Sequence, residues 1–183
     1  IKIAQLIKAA GGLDALVDSF KSFGFGEYTA LGLPKEQEGV LKKPSDWNGS
    51  DIGSIPIGQS ITVSPVQMWS SYNAIANGGR YVPPKLVRDV VDAQGRHVEP
   101  KVPEHAPAAH RVVSTAAAKM VTKSLEDVID SEQGTGNKFK IPGFNIAAKT
   151  GTAYKVQGDG TYGTAKTRKY SSSFVGFFPA SNP

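Results

Sequence analysis

Apolar residues recur at helical spacing in four stretches of this chain. Ile3, Leu6 and Ile7 predict a helix over residues 1–9, ended by Gly11-Gly12. Leu13, Leu16, Val17 and Phe20 predict a second over 13–23, stopped by Gly24 and Gly26. The sharpest start signal is Ser64-Pro65-Val66-Gln67: a hydroxyl cap, a proline at the first helical position, and a glutamine three residues after the cap. Met68, Trp69, Tyr72, Ile75 and Ala76 follow at helical spacing, so Met68 and Trp69 are expected in the core; Gly78-Gly79 closes the helix. Ser114 caps a fourth helix with apolar positions Ala117, Met120, Val121, Leu125 and Val128.

Between these stretches the pattern breaks. Residues 27–55 read as irregular, with turn residues at Pro34, Gly39, Pro44, Asn48-Gly49 and Gly53. Residues 81–102 read as short strands about a turn at Ala93-Gln94-Gly95, followed by a loop over 100–107. Gly134-Thr135-Gly136 reads as a turn. The final third is strand-like: a small-residue run from Phe144 to Ala153, a polar loop, then Ser171 to Phe178. Two such strands pair as an antiparallel hairpin. Helices in the middle and paired strands at the end predict an α+β fold with an antiparallel sheet packed against helices.

Composition narrows the chemistry. The chain is 39% hydrophobic, with 20 Gly and 12 Pro, which implies many turns and a core incomplete within 183 residues. The absence of cysteine excludes disulfides and thiolate metal sites. Of the three histidines, His97, His105 and His110, the last two lie in a Pro/Ala-rich stretch that reads as mobile, so neither a metal nor another cofactor is expected. Net charge is +5, with Lys155, Lys166, Arg168 and Lys169 near the end. Without interleaved aromatics or a known module this is no nucleic-acid surface; a basic rim around an anionic ligand fits better. No apolar run reaches membrane-spanning length. The helical opening without Met, and the close on Ser181-Asn182-Pro183 just after a strand, are read as cuts within a longer chain. Any targeting segment is then expected upstream.

Lys149-Thr150-Gly151-Thr152 is the stretch with chemistry. In a strand, Lys149 and Gly151 share one face and Thr150 and Thr152 the other. Lysine supplies a fixed positive charge and help in proton transfer. Threonine hydroxyls can hold a carboxylate, glycine lets a ligand approach the strand, and a free strand edge pairs with an extended peptide. By itself such a match is most simply an exposed edge strand. The small residues before it, Pro142-Gly143-Phe144-Asn145-Ile146-Ala147-Ala148, favour a strand facing a ligand.

The lysine-threonine-glycine triplet is one of three motifs of the penicillin-binding protein and serine β-lactamase superfamily. Gly53 to Met68, Tyr72 to Pro84, Ala147 to Thr152 and Ser173 to Ala180 resemble, in this order, the class B penicillin-binding proteins, with the cell-division (septal) type nearest. The resemblance implies a peptidoglycan D,D-transpeptidase. It covers the C-terminal portion of one transpeptidase domain over 1–183, without the Ser-x-x-Lys and Ser-x-Asn segments and without the last strand. No serine here has a lysine three residues on. Ser71-Tyr72-Asn73 matches Ser-x-Asn by letters but lies inside the capped helix and is set aside.

The resemblance also implies roles. Lys149 supports proton transfer and attracts the substrate carboxylate, Thr150 and Thr152 hydrogen-bond it, and the Thr152 N–H is half of an oxyanion hole. Gly151 and Ala153 lie against substrate, and Tyr170, just before the second strand, is a candidate aromatic wall or a surface tyrosine closing a loop. Tyr154 is a further wall candidate, and Gly58-Gln59-Ser60 is expected to support the sheet. The strand is expected to be an inward-facing edge beside a serine from another segment. Implied partners are the D-alanyl-D-alanine stem peptide, β-lactam antibiotics, the missing N-terminal part of the same domain, a glycosyltransferase and division proteins. The implied location is the extracytoplasmic side of the bacterial cytoplasmic membrane, with an N-terminal anchor outside this chain. Competing readings are a serine β-lactamase or D,D-carboxypeptidase, and a non-catalytic penicillin-binding sensor.

Overall fold

Capping chemistry sets where the long helices begin. In the computed structural model, which describes residues 2–99 and 106–183, α1 (Lys2–Ala9) and α2 (Gly12–Ser22) form the opening pair. Most of the expected 100–107 loop, His105 included, and the side chain of Ile3 lie outside the described residues. α4 (Pro65–Ala76) starts on a full capping box: Ser64 Oγ accepts from the Gln67 N–H at 3.1 Å, and Gln67 Oε1 accepts from the Ser64 N–H at 2.8 Å. α5 (Thr115–Asp130) starts where Ser114 Oγ accepts from the Ala117 N–H at 3.1 Å.

Two apolar stripes are out of phase with expectation. The buried face of α4 is Gln67, Ser70, Ser71 and Ala74, whereas Trp69 is 55% exposed. The reason is hydrogen bonding. Gln67 Nε2 donates to the carbonyls of Glu27 and Glu38 at 2.8 and 2.9 Å, so at Gln67 this face meets the backbone of an irregular loop, which needs donors rather than methyl groups. On α5 the covered stripe is Ala118, Thr122, Leu125 and Ile129, while Met120 and Val121 are exposed. The Ala116-Ala117-Ala118 run carries no phase information, so periodicity shares Leu125 with the covered stripe but puts Met120 and Val121 where the structure has Thr122.

The irregular stretch contains three single turns of helix that periodicity is too short to show: a 3₁₀ turn at Pro44–Asp46, α3 (Asp51–Ser54), and a 3₁₀ turn at Ile55–Ile57. Asp51 anchors it. Its buried carboxylate accepts from the Asn48 N–H at 3.0 Å and from Lys42 Nζ at 3.1 Å. The backbone donor first, then Lys42, hold its pKa below the ordinary carboxylate value. Trp47 packs on the same loop and donates Nε1–H to the Lys42 carbonyl. Gly58, expected with Gln59 and Ser60 to support the sheet, instead stops the Ile55–Ile57 turn with φ 87°.

Among the described residues the strands form three antiparallel pairs. β1 (Arg80–Tyr81) pairs with β4 (His110–Arg111), and β2 (Val90–Val91) with β3 (His97–Val98) about the expected turn. His110, read as part of a mobile stretch, is fixed in β4. It stacks on buried Tyr81, and its two ring nitrogens lie 2.8 and 2.9 Å from the Ala108 and Ser22 carbonyl oxygens. β5 (Ala147–Tyr154) pairs with β6 (Tyr170–Phe177). α5 packs on β5 and α4 on β6, over a core that includes Ala74, Ala118, Ile129, Ala147 and Ala148. This is the expected α+β arrangement, an antiparallel sheet against helices.

Gln67 joins the α4 cap to the loop, so its removal should be costly. Gln67→Ala leaves two carbonyls without a donor and is expected to lower unfolding free energy by roughly 3 kcal/mol. Ser64→Ala, which loses one cap bond, is expected to lower it by about 1 kcal/mol. Urea denaturation of both variants against the parent measures the difference.

Candidate active site

Register decides which backbone groups of β5 are available. Ala147 faces Phe177, Lys149 faces Val175, Gly151 faces Ser173, Thr152 faces Ser172, and Tyr154 faces Tyr170. One step beyond, the Lys155 N–H donates to the Lys169 carbonyl at 2.9 Å, which marks that pair as hydrogen-bonded. Alternation then makes 153–171, 151–173 and 149–175 the hydrogen-bonded pairs. Thr150, Thr152 and Tyr154 therefore direct their N–H and C=O groups away from β6, along the other edge of β5. Among the described residues no strand pairs with that edge.

Lys149 lies on the face opposite Thr150, yet its side chain curls round the free edge. Nζ donates to the Thr150 carbonyl at 2.7 Å and lies 3.5 Å from Thr150 Oγ1. Lys149 is exposed, so the expected inward-facing edge is not formed by the described residues themselves. Two cavities, about 290 Å³ between α4, α5 and Ala180–Pro183, and about 500 Å³ between α1, α2 and Ile52, have no lining residue in β5. The candidate site is an open edge.

On the Thr150 face, the segment after α5 closes over the strand. Thr150 Oγ1 donates to Thr135 Oγ1 at 2.9 Å, and the Phe174 ring, cross-strand from Thr150, meets Phe139 with centroids 4.9 Å apart. Two glycines allow this approach. A Cβ on Gly134 would lie 2.2 Å from the Val128 carbonyl oxygen, and one on Gly136 would lie 2.7 Å from Ile129 Cδ1. Asn137 Nδ2 donates to the Ile129 carbonyl at 3.1 Å and closes the end of α5.

Tyr154 and Tyr170 form the loop end of the same face as Thr152. Their rings meet edge-on at 5.5 Å, Tyr162 adds a third ring 6.0 Å from Tyr154, and the Arg168 guanidinium lies 4.3 Å over Tyr154. Tyr170 is the first residue of β6, not a residue before it. Both tyrosines are exposed. The structure thus gathers Lys149, Thr150, Gly151, Thr152, Ala153, Tyr154 and Tyr170 on one hairpin. Sequence reasoning missed Thr135, which reads as part of a turn because its contact is 15 residues away, and placed Arg168 in a basic rim without its stacking on Tyr154. Ser71 sits inside α4 with Oγ donating to the Met68 carbonyl at 2.8 Å, as its rejection requires.

The chain is similar to known proteins over nearly all of its length. The family model described as the penicillin binding protein transpeptidase domain matches residues 2–183. Penicillin-binding protein PbpB of Mycobacterium tuberculosis is 35% identical over 178 residues, 94% of this chain and 25% of that protein. Peptidoglycan D,D-transpeptidase FtsI of Escherichia coli is 33% identical over 169 residues, 92% of this chain and 26% of that protein. The crystal structure of penicillin binding protein 3 from M. tuberculosis complexed with ampicillin superposes with a TM-score of 0.83 at 32% identity, covering 97% of this chain and 39% of that one. The chain thus spans about a quarter of the length of these curated relatives.

Two hairpin glycines should respond differently to a methyl group. A Cβ on Gly176 would lie 2.5 Å from the Ala147 carbonyl oxygen, whereas on Gly151 the short contact is the rotatable Ser173 hydroxyl. Gly176→Ala is expected to cost roughly 1–3 kcal/mol of stability. Gly151→Ala is expected to cost less than about 1 kcal/mol, because Ser173 can turn away. Thermal unfolding midpoints of the two variants test the contrast.

Proposed function

Because the chain belongs to the penicillin-binding protein transpeptidase domain family, we propose that it is the C-terminal portion of a peptidoglycan D,D-transpeptidase domain. In this reading a segment outside these 183 residues supplies the nucleophilic serine and its lysine. The free edge of β5 is the observation that carries the reading, since it offers outward backbone groups at Thr150 and Thr152 beside the Lys149 ammonium.

The chemistry follows from that edge. An acyl-donor stem peptide ending in D-alanyl-D-alanine lies along β5 as an added strand. Its terminal carboxylate sits at the Lys149 charge and the threonine hydroxyls. The serine oxygen attacks the penultimate carbonyl, the C–N bond breaks, and D-alanine leaves with the proton on its nitrogen. The amine of a neighbouring strand then attacks the ester, forming the cross-link and returning the serine. The Thr152 N–H, pointing off the edge, stabilises the oxyanion; losing one such donor costs about 3–4 kcal/mol of transition-state stabilisation. Tyr154 and Tyr170 wall the groove at its loop end, and Gly151 and Ala153 let substrate lie close.

A β-lactam enters the same groove as a mimic of the stem peptide, a reading supported by the ampicillin complex of the M. tuberculosis neighbour. The name D,D-transpeptidase carried by the E. coli relative favours transpeptidation over the hydrolytic and sensor readings. Septal wall synthesis at the extracytoplasmic face of the cytoplasmic membrane, with an anchor upstream and a glycosyltransferase and division proteins as partners, is proposed from the resemblance to the class B type. No described helix is long and apolar enough to cross a membrane.

A labelled penicillin tests the proposal. The complete protein carrying this chain is expected to be labelled covalently, and the isolated 183-residue chain is expected to stay unlabelled. Lys149→Ala in the complete protein should slow acylation about 100-fold, the weight of one preorganised charged contact. Labelling of the isolated chain, or an unchanged rate in Lys149→Ala, contradicts the assignment.

A further inference from the structure

The hydroxyl contact between Thr150 and Thr135 carries a consequence for how an anion would be held. A threonine hydroxyl has one proton to donate. Thr150 Oγ1 donates its proton to Thr135 Oγ1 at 2.9 Å, and the Lys149 ammonium, 2.7 Å from the Thr150 carbonyl, lies 3.5 Å behind Thr150 Oγ1. In this arrangement the Thr150 proton points at Thr135 rather than outward. The Thr135 hydroxyl accepts from Thr150, and its own O–H is free in an exposed residue at the edge of β5.

We propose that Thr135 is a substrate-binding residue, the terminal donor of a Lys149–Thr150–Thr135 chain that grips the carboxylate of the stem peptide. The proposal rests on the transpeptidase reading and deepens it. Three further observations support it. Charge at Lys149 polarises Thr150, which in turn makes the Thr135 proton a stronger donor, because hydrogen bonds in a chain reinforce one another. The Thr135 backbone is held tightly: Gly134 and Gly136 are pressed against Val128 and Ile129, the Gly136 N–H donates to the Val128 carbonyl at 3.1 Å, and the Asn137 N–H donates to the Gly134 carbonyl at 3.0 Å. The Phe139–Phe174 contact pins the same segment to β6. A rigid support of this kind is what a ligand-orienting hydroxyl needs.

The test compares a labelled penicillin with its methyl ester, which lacks the anionic carboxylate, on the complete protein. Thr135→Val removes the hydroxyl at nearly constant volume. It is expected to lower the acylation rate for the acid about tenfold, the weight of one hydrogen bond to a charged group, with the ester rate within about twofold of the parent. Thr135→Ser, which restores a hydroxyl, should return the acid-to-ester ratio to the parent value. An equal fall for both probes would assign Thr135 a purely structural role and overturn the proposal, as would an unchanged acid rate. If Thr135→Val does not fold, the ratio is read in Thr135→Ala, and a Thr135→Ser ratio unlike the parent's overturns the proposal by itself. A parent protein labelled by neither probe overturns the transpeptidase reading and this inference together, whereas a labelled parent with an unchanged Thr135→Val ratio overturns this inference alone.

Discussion

Everything proposed for this chain depends on the way an antiparallel ladder alternates. β6 takes the backbone groups of Lys149, Gly151 and Ala153, and by the same geometry turns those of Thr150, Thr152 and Tyr154 outward. A shift of one residue would reverse this assignment and bury the wrong set. Register is held by close packing at Gly176, whose Cα lies too near the Ala147 carbonyl and Ala148 for any side chain, and by Phe174 against Phe139. The geometry of the site is therefore a consequence of packing at the far end of the hairpin.

An open strand edge is also a hazard, because its unpaired groups recruit other strands. Lys149 answers it in the chain's own structure: its ammonium covers the outward carbonyl of Thr150. In the proposed reading the same contact opens when a peptide-like ligand pairs with the edge, so the lysine would guard the edge when it is empty and offer its charge when it is filled. The other face is covered by the turn after α5, which depends on two glycines and on Asn137 at the helix end. Stability and site geometry share these residues. Gln67 plays the corresponding role away from the site, tying the α4 cap to the carbonyls of Glu27 and Glu38.

Much of this was legible in the sequence. Ser64, Gln67 and Ser114 announced two helix starts because capping is local chemistry, and the switch to small and β-branched residues after Phe144 announced the hairpin. The buried faces were not legible. Periodicity assumes that apolar residues point inward, but α4 buries Gln67, whose amide satisfies the loop carbonyls of Glu27 and Glu38, together with Ser70 and Ser71, and Trp69 is left exposed. The alanine run on α5 hid its phase. Of the site, Lys149 to Tyr154 and Tyr170 could be named from the motif and its surroundings, whereas Thr135 could not, and Arg168 could be named only as part of a basic rim. They reach the hairpin from a turn and a loop, and their places at Thr150 and at Tyr154 are set by three-dimensional contacts.

Amide hydrogen exchange along β5 in the complete protein reads the central claim residue by residue. The account predicts slow exchange at Lys149, Gly151 and Ala153 and faster exchange at Thr150 and Thr152 in the free protein. It further predicts that Thr152 becomes protected once a β-lactam is bound, as its N–H engages the ligand's carbonyl oxygen. Uniform protection along β5 before ligand, or a Thr152 amide indifferent to it, would contradict the account.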